Sequence, residues 1–493
     1  MSHQTICCLL IGIIATLCGE ISPVWSDGHP AGREHNWHQF RGPNFTGVAP
    51  NGNPPTSWDA ETNVKWKVAI PGRGSASPIV WGDRIYVLTA IKTDQAPAVT
   101  TQSARRTPAR FVSDLVAQAE TERTNPSAER APPESERRGR NREGRGRRGR
   151  RGGFGRGEPP THVHEFVVMC LDRVTGDTIW QQTACEAIPH QAHHGTASFA
   201  SASPITDGRN LYVSFGSRGV YSYDLNGNFR WKKDLGPMRT RHSFGEGSSP
   251  ALYGDTLVVL CDQEDQSFIT ALDANTGEQK WKVDRDEETT WTTPLIVDLD
   301  GRTQVIVNGM NRTRSYDLNN GEIIWQCGGQ VMGVVPMPVV HDNLVICMSG
   351  HRGAALNAIP LDSSGDITDT DDVVWSRDNG TPYVPSPLLY DDLLYFTKSN
   401  KAILTCVSAE TGEVHFENER LEGLSMIYAS LVGGGDRIYI SDRDGTTLVL
   451  SKGKQLNILS SNDIGETIDA TPALVDDQIF IRGEKHLFCI SKD

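Results

Sequence analysis

A segment that opens with a Ser/Thr-Pro pair or a close variant recurs along this chain, and the spacing between Pro204 and Pro387 is 44 to 49 residues per copy. Each copy continues with apolar residues, a polar turn such as YGD or VDD, and a second run rich in β-branched residues. A repeat of this length built from strand-like segments is typical of propellers and solenoids. An eighth copy has Leu431 in place of proline; the prolines of the other copies are Pro78, Pro204, Pro250, Pro294, Pro338, Pro387 and Pro472.

A second motif alternates with the first and ends in a large aromatic residue, as in CLDRVTGDTIW (170–180) and ALDANTGEQKW (271–281). Asp and Gly favour a tight turn, and a ring at a fixed place in each unit can fill the wedge between neighbouring sheets. We interpret each unit as four strands, with the proline opening the innermost strand. The predicted packing aromatics are Trp66, Trp180, Trp231, Trp281, Trp325, Trp375 and Phe416.

The two ends of the repeat region complement each other. A segment with the features of a fourth strand, TNVKWKVAI (62–70), has no third strand before it in the chain. The C-terminal segment HLFCISKD (486–493) has the features of a third strand, and no fourth strand follows it. An open solenoid would need capping repeats, while a closed ring leaves no free sheet edge. We therefore predict an all-β fold over 62–493, an eight-bladed β-propeller of four-stranded blades, closed by an N-terminal strand that completes the last blade.

The chain begins with an apolar run from Ile6 to Leu17, which has the length of a signal-peptide core and is short for a membrane span. A buried strand or helix is the alternative interpretation. We predict a signal peptide over 1–26, an N-terminal extension over 27–61, and export to the periplasm or cell envelope with no membrane span after cleavage.

A long segment that does not match the repeat separates RIYVLTA (84–90) from EFVVMCLD (165–172) within blade one. We predict that 94–162 is a disordered insertion, because it contains low-complexity Arg/Gly sequence that is too polar to pack. The segment is basic within a protein of formal net charge −13. It is interpreted either as a solvated loop or as an arm that binds a polyanion through Arg137–Arg156.

The TG…W repeat with a proline-led inner strand resembles that of bacterial quinoprotein-type (PQQ-like) propellers over roughly 62–493, apart from the insertion. Segments such as NWHQFRGPNFTGV (36–48) and TPYVPSPLLYDD (381–392) are similar to exported members of this group. The resemblance implies one of two branches: alcohol dehydrogenases dependent on pyrroloquinoline quinone, or the non-catalytic BamB lipoprotein of outer-membrane protein assembly. The dehydrogenase branch carries a vicinal disulfide, whereas the adjacent cysteines here, Cys7 and Cys8, lie in the predicted signal peptide.

Any binding site is expected at the central mouth of the ring, on loops that join one blade to the next. The loops HQAHHGTASFAS (190–201) and GPMRTRHSFGEG (236–247) are rich in functional groups. Two arginines suit a carboxylate or phosphate, and a polar water-filled rim is the alternative interpretation. The candidate ligand-binding residues are His193, His194, Arg239, Arg241, His242, Glu246, Trp291 and Tyr383. No catalytic residue and no metal site is predicted.

These observations lead to two hypotheses of function. The first is an exported, monomeric, non-catalytic binding or scaffold protein that contacts envelope proteins through its rim and needs no cofactor. The second, implied by the resemblance, is an alcohol or sugar dehydrogenase that uses pyrroloquinoline quinone with Ca²⁺. Fold alone does not choose between them, because function depends on the site.

Overall fold

The computed structural model describes residues 29–59, 62–95 and 159–492. These residues form 33 strands in eight sheets, and their helical content is limited to three short 3-10 turns. The prediction of an all-β, eight-bladed propeller is confirmed. The predicted signal peptide and residues 96–158 of the insertion lie outside the described residues. The 3-10 turns are Arg33–His35, Gly216–Arg218 and Arg241–Ser243.

In the first four blades the strands follow one another from the innermost to the outermost position. Blade one comprises Ile79–Trp81, Arg84–Lys92, His164–Asp172 and Thr178–Ala187. Blade two comprises Ile205–Thr206, Asn210–Ser214, Val220–Asp224 and Phe229–Lys233. Blade three comprises Ala251–Tyr253, Thr256–Cys261, Ser267–Asp273 and Gln279–Arg285. Blade four comprises Leu295–Leu299, Arg302–Val307, Thr313–Asp317 and Ile323–Cys327, with Gly365–Asp366 added in parallel at its edge.

Blades five to seven repeat this pattern, whereas blade eight takes its outermost strand from the N-terminal part of the chain. Blade five comprises Val339–His341, Leu344–Ser349, Ala355–Pro360 and Trp375–Arg377. Blade six comprises Leu388–Tyr390, Leu393–Thr397, Ile403–Ser408 and Val414–Arg420. Blade seven comprises Val432–Gly434, Arg437–Ser441, Thr446–Ser451 and Ile458–Asp463. Blade eight comprises Ala473–Val475, Gln478–Arg482, His486–Ser491 and the N-terminal strand Val64–Ala69, which pairs antiparallel with His486–Ser491.

The hydrophobic core lies between the blades. Ile79 and Leu88 of blade one pack in one cluster with Leu211 and Val213 of blade two, and all four are buried. A similar cluster joins the first blade to the eighth. Full burial of such a side chain contributes about 1.5–3 kcal/mol, so the contacts between sheets are the main source of stability.

Tryptophans at the outer strands connect a blade to the one that follows it. Five of them donate a hydrogen bond from indole Nε1 to a backbone carbonyl of the next blade. Five such bonds are Trp66 to Arg173 at 3.1 Å, Trp180 to Leu225 at 2.9 Å, Trp231 to Ala274 at 2.9 Å, Trp281 to Leu318 at 2.7 Å, and Trp375 to Ala409 at 3.1 Å. Trp325 is fully buried, and its Nε1 has no hydrogen-bond partner within the described residues. Phe416 is partly buried against the ring of Tyr395.

The described part of the N-terminal extension crosses one end of the ring and pairs with the hairpin ends of several inner strands. Trp37 exchanges two backbone hydrogen bonds with Val80 of blade one. The carbonyl of Thr46 accepts from the amide of Leu389 in blade six, at 3.2 Å. The amide of Gly433 in blade seven donates to the extension at 2.9 Å. The extension therefore covers this end of the central channel, opposite the loops that join the blades.

Candidate functional site

A ring of hydroxyl groups lines the central channel at the residue directly before the proline position in seven of the eight blades, and blade five has Met337 there. Six of these hydroxyls accept a hydrogen bond from the backbone amide of the equivalent residue in the preceding blade. Six bonds of this kind are Ser77 to Ser203 at 3.0 Å, Ser203 to Ser249 at 2.9 Å, Ser249 to Thr293 at 3.3 Å, Met337 to Ser386 at 3.0 Å, Ser386 to Ser430 at 2.9 Å, and Ser430 to Thr471 at 2.9 Å. We call Ser77, Ser203, Ser249, Thr293, Ser386, Ser430 and Thr471 the hydroxyl ring.

The hydroxyl ring forms the wall of a central cavity of about 240 Å³. The cavity opens toward the loops that join the blades, and four large aromatic residues of these loops line it together with the ring. These are Phe244, Trp291, Tyr383 and Tyr428. A concave surface with apolar rings and a few polar groups is the usual form of a binding pocket.

The covered end of the cavity is held in place by a buried arginine of the extension. Arg41 is fully buried, and its guanidinium donates to the carbonyls of Thr46 at 2.9 Å, Leu431 at 2.5 Å and Pro387. The neighbouring Phe40 lines the central cavity. Burial lowers the pKa of Arg41 to about 9, so the side chain still carries its charge at neutral pH. Arg41 thus ties the floor of the cavity to the inner strands of blades six and seven.

Glu246 is the partly buried carboxylate on the blade-two side of the cavity. Its side chain accepts hydrogen bonds from the amide of Ser217, at 2.7 Å, and from the Ser217 hydroxyl. Burial raises the pKa of Glu246, and the hydrogen bonds from Ser217 oppose that rise. Gly216 allows this approach, because a β-carbon there would collide with the Glu246 carboxylate.

A second cavity carboxylate, Asp469, was not among the residues predicted from the sequence. It forms an ion pair with Arg443, with 2.6 Å between Oδ1 and Nε, and the Arg443 guanidinium lies 5.2 Å from the ring centre of Tyr428. Burial raises the pKa of Asp469, although Arg443 opposes the rise. Asp469 lies three residues before Pro472, where the repeat predicts a mouth loop. That position could have identified it.

Four of the eight predicted site residues line the central cavity: His194, Glu246, Trp291 and Tyr383. The ring of His194 packs edge-on against Phe244, with 4.8 Å between ring centres, and burial lowers its pKa. Tyr383 stacks on His351 with 4.4 Å between ring centres. Trp291 Nε1 donates to the carbonyl of Gly245 at 2.7 Å, which joins two mouth loops.

The other four predicted residues do not line the central cavity. Arg239 is exposed and pairs with Asp265 at 2.7 Å. Arg241 pairs with Glu288 at 2.6 Å. The remaining two are His193, whose ring packs on Phe199, and His242, which is exposed. The two arginines are therefore paired with acidic side chains of other loops.

Within residues 29–59, 62–95 and 159–492, no group of three or more His, Cys, Asp and Glu side chains is placed to hold a metal ion. The same residues contain no helix long and apolar enough to cross a membrane.

Comparison with known proteins places the chain among the BamB-like propellers. The family model described as outer membrane protein assembly factor BamB matches residues 164–418. No curated protein sequence matches the chain.

Solved structures show the same fold. BamB from Moraxella catarrhalis is 17% identical with a TM-score of 0.50, and the match covers 66% of this chain and 88% of that one. Quinohemoprotein alcohol dehydrogenase from Comamonas testosteroni is 10% identical with a TM-score of 0.58, covering 93% of this chain and 81% of that one. The quinohemoprotein alcohol dehydrogenase ADHIIG from Pseudomonas putida HK5 is 10% identical with a TM-score of 0.51, covering 93% and 80%. Identities this low establish similarity of fold alone.

Proposed function

Because the chain belongs to the family of the outer membrane protein assembly factor BamB, we propose that it is an exported, non-catalytic binding or scaffold protein of the periplasm or cell envelope. It holds a segment of a partner protein at the mouth of the central cavity. Both carboxylates of the cavity support this role, because Ser217 engages Glu246 and Arg443 engages Asp469. Each fastens a mouth loop to a hairpin of the preceding blade and leaves an aromatic, hydroxyl-lined surface for a partner side chain.

The aromatic residues of the mouth are suited to anchor a partner. Trp291, Tyr383 and Tyr428 are each partly exposed in the cavity. Tyr and Trp side chains are frequent hot spots of protein interfaces, since they bury a large area at low cost in conformational entropy. A partner segment with an apolar or aromatic residue would fit this surface.

Photocrosslinking at matched positions tests the proposal. A crosslinking amino acid at exposed His242 in the mouth should capture one defined envelope protein, and Trp291→Ala should weaken that capture at least tenfold. The control position is Phe229, which is exposed on an outer strand. Equal capture from His242 and Phe229 would contradict binding at the mouth.

A dehydrogenase dependent on pyrroloquinoline quinone is the second candidate. One observation favours it: burial raises the pKa of Glu246, as is common for a general base. The residues do not fit the calcium ion, which prefers six to eight oxygen ligands, because the cavity carboxylates are already engaged. Calorimetric titration with the quinone and Ca²⁺, followed by dye reduction with alcohols and sugars, separates the candidates. Stoichiometric binding with turnover would replace the first proposal by the second.

The Arg/Gly-rich arm remains a separate proposal, because Arg137–Arg156 lies outside the described residues. Deletion of 135–157 should reduce retention on a heparin column if the arm binds polyanions. Unchanged retention would leave it as a solvated loop.

A further inference from the structure

A second and smaller cavity, of about 70 Å³, lies beside the central one between loops of blades one, seven and eight. Three arginines line it: Arg73 before the inner strand of blade one, Arg443 in a hairpin of blade seven, and Arg482 in blade eight. Ser75 and Asp469 line both cavities. The small cavity therefore adjoins the wall of the central one.

Arg482 is buried in this cavity wall without a hydrogen-bond acceptor. Only 2% of its surface is exposed, and its Nε, Nη1 and Nη2 atoms have no hydrogen-bond partner in the part of the chain that the structure describes. Burial lowers its pKa to about 10, although the nearby Glu466 carboxylate opposes that fall, so Arg482 is positively charged at neutral pH. A buried guanidinium whose N–H groups lack hydrogen-bond acceptors is destabilising, and a native protein normally supplies a polar or anionic partner for them.

The nearby carboxylates are committed to other groups. Asp469 accepts from Arg443 Nε at 2.6 Å and from Arg443 Nη2 at 3.3 Å. Glu466 accepts from the amides of Lys485 and His486, at 3.0 and 3.1 Å. Glu484 also lines the cavity, but its side chain is exposed and forms no described hydrogen bond with Arg482.

The propeller architecture does not require an arginine at this position. In strand register, Arg482 lies two residues beyond Phe480, which pairs with the residue after Pro472. The same register position in blades one to seven holds an uncharged residue. These residues are Leu88, Ser214, Leu260, Asn308, Met348, Thr397 and Ser441. Since the other blades fold without a charge at this position, folding of the blade does not explain the arginine of blade eight. A ligand for its side chain would explain it.

We propose that this cavity binds an oxyanion, a carboxylate or a phosphate group, with Arg482 as its buried partner and Arg73 as a second cation at the exposed edge. A guanidinium presents its N–H groups as a planar fork that matches two oxygens of either anion. The ligand is a small phosphorylated molecule or a carboxylate of a peptide. The site does not depend on the function proposed for the mouth, because none of its arginines lines the central cavity.

Calorimetric titration of the mature chain with inorganic phosphate and with acetate, in chloride buffer of constant ionic strength, tests this site. We expect saturable binding of at least one of the two anions. Arg482→Met should weaken it at least tenfold, and Arg73→Gln severalfold. Arg209→Gln changes an exposed arginine outside this cavity and should bind like the unaltered protein.

The outcomes separate the ligand sources and can overturn the proposal. Tighter binding of phosphate indicates a phosphorylated ligand, whereas a peptide that binds only with a free C-terminal carboxylate indicates a protein ligand. The site would be refuted if neither anion binds. It would also be refuted if Arg482→Met binds the anion with the affinity of the unaltered protein. If Arg482→Met does not fold, Arg73→Gln provides the test, because the Arg73 side chain is exposed. An anion affinity of Arg73→Gln equal to that of the unaltered protein then refutes the proposal.

Discussion

The indole of Trp231 lies directly on the α-carbon of Gly277 in the next blade, so close that a β-carbon on Gly277 would be 2.6 Å from Trp231 Cε3. The same pairing recurs between Trp66 and Gly176 and between Trp375 and Gly412. The tryptophan and the glycine turn of the repeat are therefore complementary halves of one contact between neighbouring blades. The glycine adopts the positive φ of the turn and, because it has no side chain, leaves room for the indole ring.

The first prediction concerns this contact. Gly277→Ala should destabilise the protein by about 2–4 kcal/mol, because the new methyl group strains a positive φ and collides with the Trp231 ring. Gly301→Ala is the matched control, since Gly301 also has a positive φ but nothing within 4 Å of its β-carbon position. Chemical denaturation should show a loss of about 1 kcal/mol of unfolding free energy for the control. Equal losses would mean that the ring contact is unimportant.

The second prediction concerns the hydroxyl ring. Ser249→Ala removes the acceptor of the Ser203 amide and leaves a buried N–H unpaired. The expected loss is about 1–3 kcal/mol of unfolding free energy. Ser376→Ala, at an exposed position of blade five, should stay within about 0.5 kcal/mol of the unaltered protein. A negligible loss in Ser249→Ala would show that water replaces the hydroxyl.

The third prediction concerns the floor of the cavity. Arg41→Ala leaves the carbonyls of Pro387 and Leu431 without the Arg41 donor, removes one of the two donors to the carbonyl of Thr46, and should cost at least about 2 kcal/mol. The extension should then become sensitive to limited proteolysis before the blades do, because Arg41 ties it to two inner strands. Arg209→Ala, at an exposed arginine, is the control. Simultaneous cleavage of extension and blades would contradict a local role for Arg41.

The fourth prediction concerns pH. Because burial raises the pKa of Glu246 in the folded state, its contribution to stability is fully present below the unfolded pKa of about 4.3 and is lost as the pH rises through the folded pKa. Glu246→Gln removes this titration, so the stability of the variant relative to the unaltered protein should increase from pH 4 toward neutrality. Denaturant titrations across that range measure the difference. A difference that stays constant with pH would show that Glu246 is not perturbed.

Part of the site could be predicted from the sequence, because mouth loops are recognised by their place before each proline. That rule selected His194, Glu246, Trp291 and Tyr383, which line the central cavity. It did not distinguish them from Arg239 and Arg241, because the acidic partners Asp265 and Glu288 lie in other loops. The Ser or Thr before proline was visible in the repeat. Its role as a hydrogen-bond acceptor was not, because the amide that donates to it belongs to the preceding blade.

The sequence by itself determined the repeat unit, the number of blades and the all-β fold, because these follow from local periodicity and turn chemistry. The tertiary structure alone decided what closes the cavity and where a buried guanidinium lacks a hydrogen-bond acceptor among the described residues. Arg41 and its acceptor Leu431 are 390 residues apart, and the arginines of the small cavity come from three blades. A ring brings such distant residues into contact, and no local pattern records which side chains then face one another.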